Sequence, residues 1–218
     1  MKEQGIFVDR RRLIVGSLSL LALWGVGRYG SAESNGLERL EDFEQIVLRD
    51  VNGKLHQPFQ DSDLKACVFI FVSPDCPIAN AFQPELDEIH RSQGGKEIKF
   101  FLVYCCPELK LKAVQDHVRE YKVNLPAILD EDQKIGRITQ AKVTPEAIVV
   151  SRDGDVLYRG MINNLYAGYG KKRNRATEHY LRDACRDIRV GESPKVSNTR
   201  PIGCFIYYPA EKASPDNP

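Results

Sequence analysis

Residues 67–72 read Cys-Val-Phe-Ile-Phe-Val, six apolar side chains without a break, rich in β-branched and aromatic types. A strand with one face in water alternates polar and apolar residues. A run without alternation fits a strand covered on both faces. Residues 98–104, Ile-Lys-Phe-Phe-Leu-Val-Tyr, repeat the pattern. Between the two runs, Ile78, Phe82, Leu86 and Ile89 recur at helical spacing. Pro77 suits the first helical position and Gly94-Gly95 stops the helix. Two doubly covered strands joined by a helix predict parallel pairing in an α/β domain.

The remaining segments extend this plan. Ile46–Leu48 is a short strand, and Asn52-Gly53 turns it into a hairpin with Lys54–His56. Leu111–Tyr121 is a helix with Leu111, Val114, Val118 and Tyr121 on one face. Ala127–Leu129 is a short strand and Gln133–Ile138 a short helix. Ala147–Val150 and Val156–Tyr158 flank the hairpin turn Asp153-Gly154. Residues 164–175 form a basic loop rich in Gly and Tyr, and Thr177–Val190 is a helix capped by Thr177. The expected architecture is α/β: a central mixed sheet, parallel in the middle and antiparallel at its last hairpin, with helices on both faces. Residues 43–190 make that domain, 33–42 a linker, and 191–218 a tail that carries Cys204.

Residues 1–32 have a different character. Arg10-Arg11-Arg12 precedes the uncharged run Leu13–Val26, and Gly30-Ser31-Ala32 offers a small-residue cleavage site. Basic end, short apolar core and small residues are the order of a secretory signal, and paired arginines also mark twin-arginine export. The run is shorter than the roughly 20 residues a spanning helix needs. Export, to a periplasmic or other extracytoplasmic space, is therefore expected, with membrane contact only through this segment. The whole chain carries +1; five basic leader residues against two acidic ones leave the rest at −2. That balance argues against a nucleic-acid binder. Hydrophobic residues at 42% exclude a mostly disordered chain.

Six cysteines in 218 residues are too few for a disulfide scaffold but enough for redox chemistry. Chemistry in α/β sheets collects at the carboxyl ends of the strands. Cys76 lies there, between the strand ending at Val72 and the helix starting at Pro77. As N-cap it would face free backbone N–H groups, which favour thiolate, the nucleophilic form. Asp75 beside it works the other way. Cys67 is mid-strand and Cys185 lies in the last helix, both with structural explanations. His56, His90, His117 and His179 show no metal-ligand spacing, so no metal is expected.

The segment Ser73-Pro74-Asp75-Cys76-Pro77-Ile78-Ala79-Asn80, after a buried strand, resembles the active-site segment of the thioredoxin-like superfamily. It is most similar to the redoxin branch, the peroxiredoxins of the alkyl hydroperoxide reductase/thiol-specific antioxidant type and their exported relatives. Val143-Thr144-Pro145-Glu146 resembles the superfamily's cis-proline loop, and Tyr158-Arg159-Gly160 through Gly203-Cys204-Phe205-Ile206 resembles one exported subgroup. The resemblance spans about residues 43–206. It implies a thioredoxin-like fold and an exported thiol-dependent oxidoreductase with Cys76 as its single nucleophile. Ser73 would bond the sulfur or a peroxide, Thr144 and Pro145 would shape the groove, and Arg159 is the candidate partner arginine. Substrates would be a peroxide or a disulfide, with an external thiol as reductant and no cofactor.

Departures from the family pattern narrow this. Ala79 stands where a thioredoxin has its second cysteine, and Phe69 where a peroxiredoxin has a proline. Asn80 stands where copper-delivery relatives carry a cysteine. An oxidised nucleophile needs a resolving thiol. Cys204, in its apolar island, and Cys105-Cys106, at the end of the neighbouring strand, both offer one, as does an external thiol. The alternative is a non-catalytic binding module in which Cys76 and Cys204 form a structural disulfide.

Overall fold

The computed structural model describes residues 40, 41 and 43–209. The segment expected to direct export and most of the expected linker lie outside the described residues. The elements, in chain order, are β1 (Leu48–Arg49), β2 (Leu55–His56), β3 (Ala66–Val72), α1 (Pro77–Ala81), α2 (Gln83–Gln93), β4 (Ile98–Tyr104) and α3 (Leu111–Glu120). There follow β5 (Ala127–Leu129), α4 (Lys134–Thr139), β6 (Val143–Thr144), β7 (Glu146–Ser151), β8 (Val156–Gly160), β9 (Tyr166–Gly168), β10 (Lys171–Lys172), α5 (Tyr180–Arg189) and β11 (Cys204–Phe205).

The central sheet runs β5-β4-β3-β7-β8. β3, β4 and β5 are parallel, while β7 pairs antiparallel with both β3 and β8. Every residue of β3 is buried, which explains the unbroken apolar run. Its alternate side chains divide between two cores. Ala66, Val68, Ile70 and Val72 meet Ile78, Leu86, Val114 and Leu181 from α1, α2, α3 and α5. Cys67, Phe69 and Phe71 meet Phe43, Leu48, Phe59 and, from α4, Ile135. Helices therefore cover both faces of a mixed sheet, as expected. Full burial of one such Phe contributes about 1.5–3 kcal/mol.

Local chemistry shifts several boundaries. The helix expected from Pro77 to Gln93 breaks at Phe82, because Pro84 has no N–H and cannot continue the ladder. The final helix starts at Tyr180, with His179 rather than Thr177 as its cap. Thr177 is claimed elsewhere: its N–H donates to Asn164 Oδ1 at 2.8 Å, and its hydroxyl accepts from Asn164 Nδ2 at 2.8 Å. The first hairpin pairs Leu48 with His56 and Arg49 with Leu55, one residue later than the apolar run suggests. Its turn is pinned by the Asp50 carboxylate, which accepts from the N–H groups of Asn52 and Lys54. The face of α3 is also rotated: Leu111 and Tyr121 are exposed, whereas His117 is buried beside Val114. The basic loop is a small hairpin, β9–β10.

The tail packs along the domain. Arg159 N–H donates to the Ser197 carbonyl at 2.9 Å, and Thr199 N–H to the Arg159 carbonyl at 2.9 Å, so residues 197–199 extend the β8 edge. Thr199 comes so close that a Cβ on Gly160 would lie 2.3 Å from its carbonyl oxygen. β11 then pairs antiparallel with β6, Cys204 opposite Thr144 and Phe205 opposite Val143. No helix among the described residues is long and apolar enough to cross a membrane.

Candidate active site

Cys76 is the N-cap of α1, in extended conformation, at the carboxyl end of β3. Its N–H donates to the Ser73 carbonyl at 3.1 Å, which tightens the turn 73–76. Its side chain is 1% exposed, and its thiol donates to the Thr144 carbonyl at 3.0 Å. The Thr144-Pro145 peptide is cis.

β11 brings Cys204 to the same point. Cys204 stands opposite Thr144, whose carbonyl accepts from Cys76, so the two thiols sit side by side and act on each other electrostatically. The approach depends on Gly203, where a Cβ would lie 2.0 Å from the Thr144 carbonyl oxygen. Both thiols are free. Burial pushes the Cys76 thiol up, but the groups around its sulfur outweigh burial: Cys204, Thr144 and the amides of Ala79 and Cys204. The net result is a thiol held below the ordinary cysteine range. Cys204 moves the other way, up to about 11, through burial and then through the hydrogen bond and charge of Cys76. Such a pair is poised for one thiolate, on Cys76, with the proton kept on Cys204.

The other buried cysteines differ. Burial pushes the Cys67 thiol well up and the Cys185 thiol to about 12. Cys105 rises to about 12 through burial and the neighbouring Asp130 charge, and its sulfur faces Tyr208 rather than Cys76. Cys106 is exposed. Of the three internal thiols offered as partners for Cys76, Cys204 is therefore the one the structure brings to it. Among the described residues no cluster of His, Cys, Asp and Glu has the arrangement of a metal site.

The other sequence-selected residues are placed as follows. Ser73 contributes its backbone carbonyl to the turn. Pro145 lines a narrow apolar cleft beside the cysteines with Phe82, Ile162, Tyr166 and Ile202. Arg159 faces Glu146 at 3.8 Å and donates to the Gln140 carbonyl at 3.3 Å. Glu146 is 1% exposed and accepts from the N–H of Lys142 at 2.7 Å. Arg159 thus offsets a buried carboxylate that holds the segment leading into Thr144-Pro145.

A buried polar chain supports the turn from behind, and sequence reasoning passed over it. Asn80 Nδ2 donates to the Pro74 carbonyl at 2.7 Å, which leaves Asn80 Oδ1 as acceptor. His117 Nε2 lies 2.9 Å from that oxygen and is its donor. His117 Nδ1 then accepts from the Tyr104 hydroxyl at 2.8 Å. The chain is satisfied with a neutral imidazole, and burial holds the His117 pKa below its ordinary value against the charges of Glu120 and Asp75. Nothing in the spacing of 80, 104 and 117 announces the group. The one usable signal is a histidine on the apolar face of α3.

No protein-family model matches the chain, and no curated protein matches it. Solved structures do. A hypothetical protein of Sinorhizobium meliloti is similar over 76% of this chain and 91% of its own, at 26% identity and TM-score 0.61. An uncharacterized conserved protein of Geobacillus kaustophilus is similar over 83% of this chain and 95% of its own, at 22% identity and TM-score 0.65. A secreted Mycobacterium tuberculosis disulfide oxidoreductase overlaps 53% of this chain and 83% of its own, at 21% identity and TM-score 0.45. The chain's own sheet topology, with a cysteine heading the helix after the central strand, is that of a thioredoxin-like fold.

Proposed function

We propose that the protein is an exported thiol-dependent oxidoreductase in which Cys76 is the nucleophile and Cys204 the resolving thiol. The observation that carries this is the pairing that sets Cys204 opposite Thr144, the residue whose carbonyl holds Cys76, with Cys76 lowered and Cys204 raised. The Cys76 thiolate attacks one sulfur of a substrate disulfide. That S–S bond breaks, the far sulfur leaves as a thiolate, and Cys76 is held in a mixed disulfide. Cys204, once deprotonated, attacks Cys76 Sγ and expels the second substrate thiolate. Two electrons have then passed to the substrate, and Cys76 and Cys204 are joined. An external thiol restores the pair. No bound cofactor takes part. Export belongs to the same proposal and is supported by the basic, apolar and small-residue order of the first 32 residues.

One observation favours a second substrate class. Cys76 is 1% exposed behind the Cys204 segment, which a small peroxide passes more easily than a protein disulfide. In that case the Cys76 thiolate attacks one oxygen, the O–O bond breaks, the far oxygen leaves as hydroxide or alkoxide, and Cys204 then attacks the sulfenic sulfur and expels its hydroxyl as water.

Peptide mapping by mass spectrometry tests the reading. Reduced protein given one equivalent of oxidised glutathione or hydrogen peroxide is expected to hold one new bond, between Cys76 and Cys204. Cys76→Ser is expected to stop catalytic turnover, and the faster oxidant names the substrate class. Oxidised protein in which these two cysteines stay unjoined, or wild-type turnover by Cys76→Ser, defeats the proposal.

A further inference from the structure

The β9–β10 hairpin lies against the cysteine pair. Tyr169, at its turn, is 63% exposed, yet its hydroxyl donates to the Gly203 carbonyl, one residue before Cys204. Cys204 is the next residue, and the same hydroxyl pulls its thiol down. The ring is free to remain in water while its oxygen is held at the site.

We infer that Tyr169 is a catalytic residue of the resolving step: its hydroxyl donates to the Cys204 sulfur as that sulfur becomes a thiolate. This rests on the reading of Cys76 and Cys204 as a redox pair. While Cys204 is a thiol, the hydroxyl proton sits on the Gly203 carbonyl. When Cys204 loses its proton to water, the hydroxyl turns to the sulfur. The thiolate then attacks Cys76 Sγ, the bond from Cys76 to substrate breaks, and substrate leaves with the electron pair.

The electrostatics agree with this sequence. Burial raises the Cys204 thiol, the Cys76 hydrogen bond and charge raise it further, and the Tyr169 hydroxyl pulls it down. In the mixed disulfide Cys76 carries no charge and no proton. Both of its effects are then gone, and Tyr169 is left to oppose burial. The hydroxyl keeps its own proton, since burial and the two nearby sulfurs raise its pKa.

Dithiobis(nitrobenzoate) tests this, in a Cys106→Ser background because Cys106 is exposed. Attack by Cys76 releases one coloured thiolate, and ring closure by Cys204 releases the second. Stopped-flow absorbance is expected to show both phases. Tyr169→Phe should leave the first phase unchanged and slow the second about three- to tenfold near neutral pH, the effect of one hydrogen bond to a charged sulfur less its effect on nucleophilicity. The second phase of the variant should also rise at higher pH than that of wild type and overtake it in alkali, where Cys204 is ionised in both and the unbonded thiolate is the better nucleophile. A second phase slowed equally at every pH means that Tyr169 only clamps Gly203, and the inference fails. An unchanged second phase defeats it too. If wild type gives one phase, or mapping after the second phase does not join Cys76 to Cys204, the redox pair itself is wrong.

Discussion

Residues 203–209 lie against two buried cysteines. At one end Cys204 meets Cys76; at the other Tyr208 meets Cys105. Both sulfurs are out of water, and both are covered by the same stretch of chain. At Cys76 the surroundings that bear on the sulfur are two amides, Thr144 and a second thiol, and together they lower it. At Cys105 the nearest charge is the Asp130 carboxylate, buried and itself tied to the N–H groups of Ile135 and Gly136. The first thiol falls below its ordinary range and the second rises to about 12. Burial is common to both, so it does not decide reactivity. The groups aimed at the sulfur decide it.

Exchanging the two cysteine partners is the strongest way to break this comparison. Cys204→Ala removes both the resolving thiol and one of the donors to Cys76. Turnover should fall to background, with substrate trapped on Cys76. The thiolate should also become scarcer at a given pH, so the pH profile of Cys76 alkylation should move up. Cys105→Ala should leave both profile and turnover in place. A Cys76 profile that ignores Cys204→Ala would mean that the amides alone lower it.

The two ends were not equally legible before the structure. β3 and β4 stood out because a strand covered on both faces has no alternation to lose. Cys76 stood out because a strand, a tight turn and a helix-starting proline converge on it. Cys204 was marked by an apolar island in a polar tail. Three other features were harder to see. The break at Phe82 was written in Pro84, but the helical spacing on either side masked it. Asn80, Tyr104 and His117 meet only through the register of α1, β4 and α3, which no local pattern encodes. Tyr169 looked like one aromatic among several in a basic loop, because its contact to Gly203 spans 34 residues of chain.

The polar chain behind Cys76 sharpens the comparison at the level of stability. His117→Gln breaks the link between Tyr104 and Asn80 and should cost about 1–3 kcal/mol at neutral pH. The sign of its pH dependence follows from the lowered imidazole pKa. Between that value and the unfolded value of about 6.5, the unfolded chain binds more protons than the folded one. Wild-type stability should therefore be complete above about pH 6.5 and fall as the pH drops through this window. His90 is lowered as well and is shared by both proteins. The difference between the two urea-unfolding curves across pH then isolates His117. Equal slopes for wild type and variant would mean that His117 is not held neutral in the fold.

The smallest effect tests whether the two ends are independent. Tyr208→Phe removes the hydroxyl that donates to the Ala141 carbonyl at 2.9 Å, at a cost of about 1 kcal/mol. The segment should stay docked, because Gln133 still donates to the Tyr207 carbonyl at 2.7 Å and Arg137 still lies 5.5 Å from the ring centre. The Cys105 thiol, which that hydroxyl pulls down, should rise further. Cys76 should show no change in its alkylation profile, since the groups that lower it belong to residues 79, 144 and 204. Separate sites without shared partners add independently. A shift at Cys76 would mean that the chain between Cys204 and Tyr208 transmits strain, and that the inert end helps to set the reactive one.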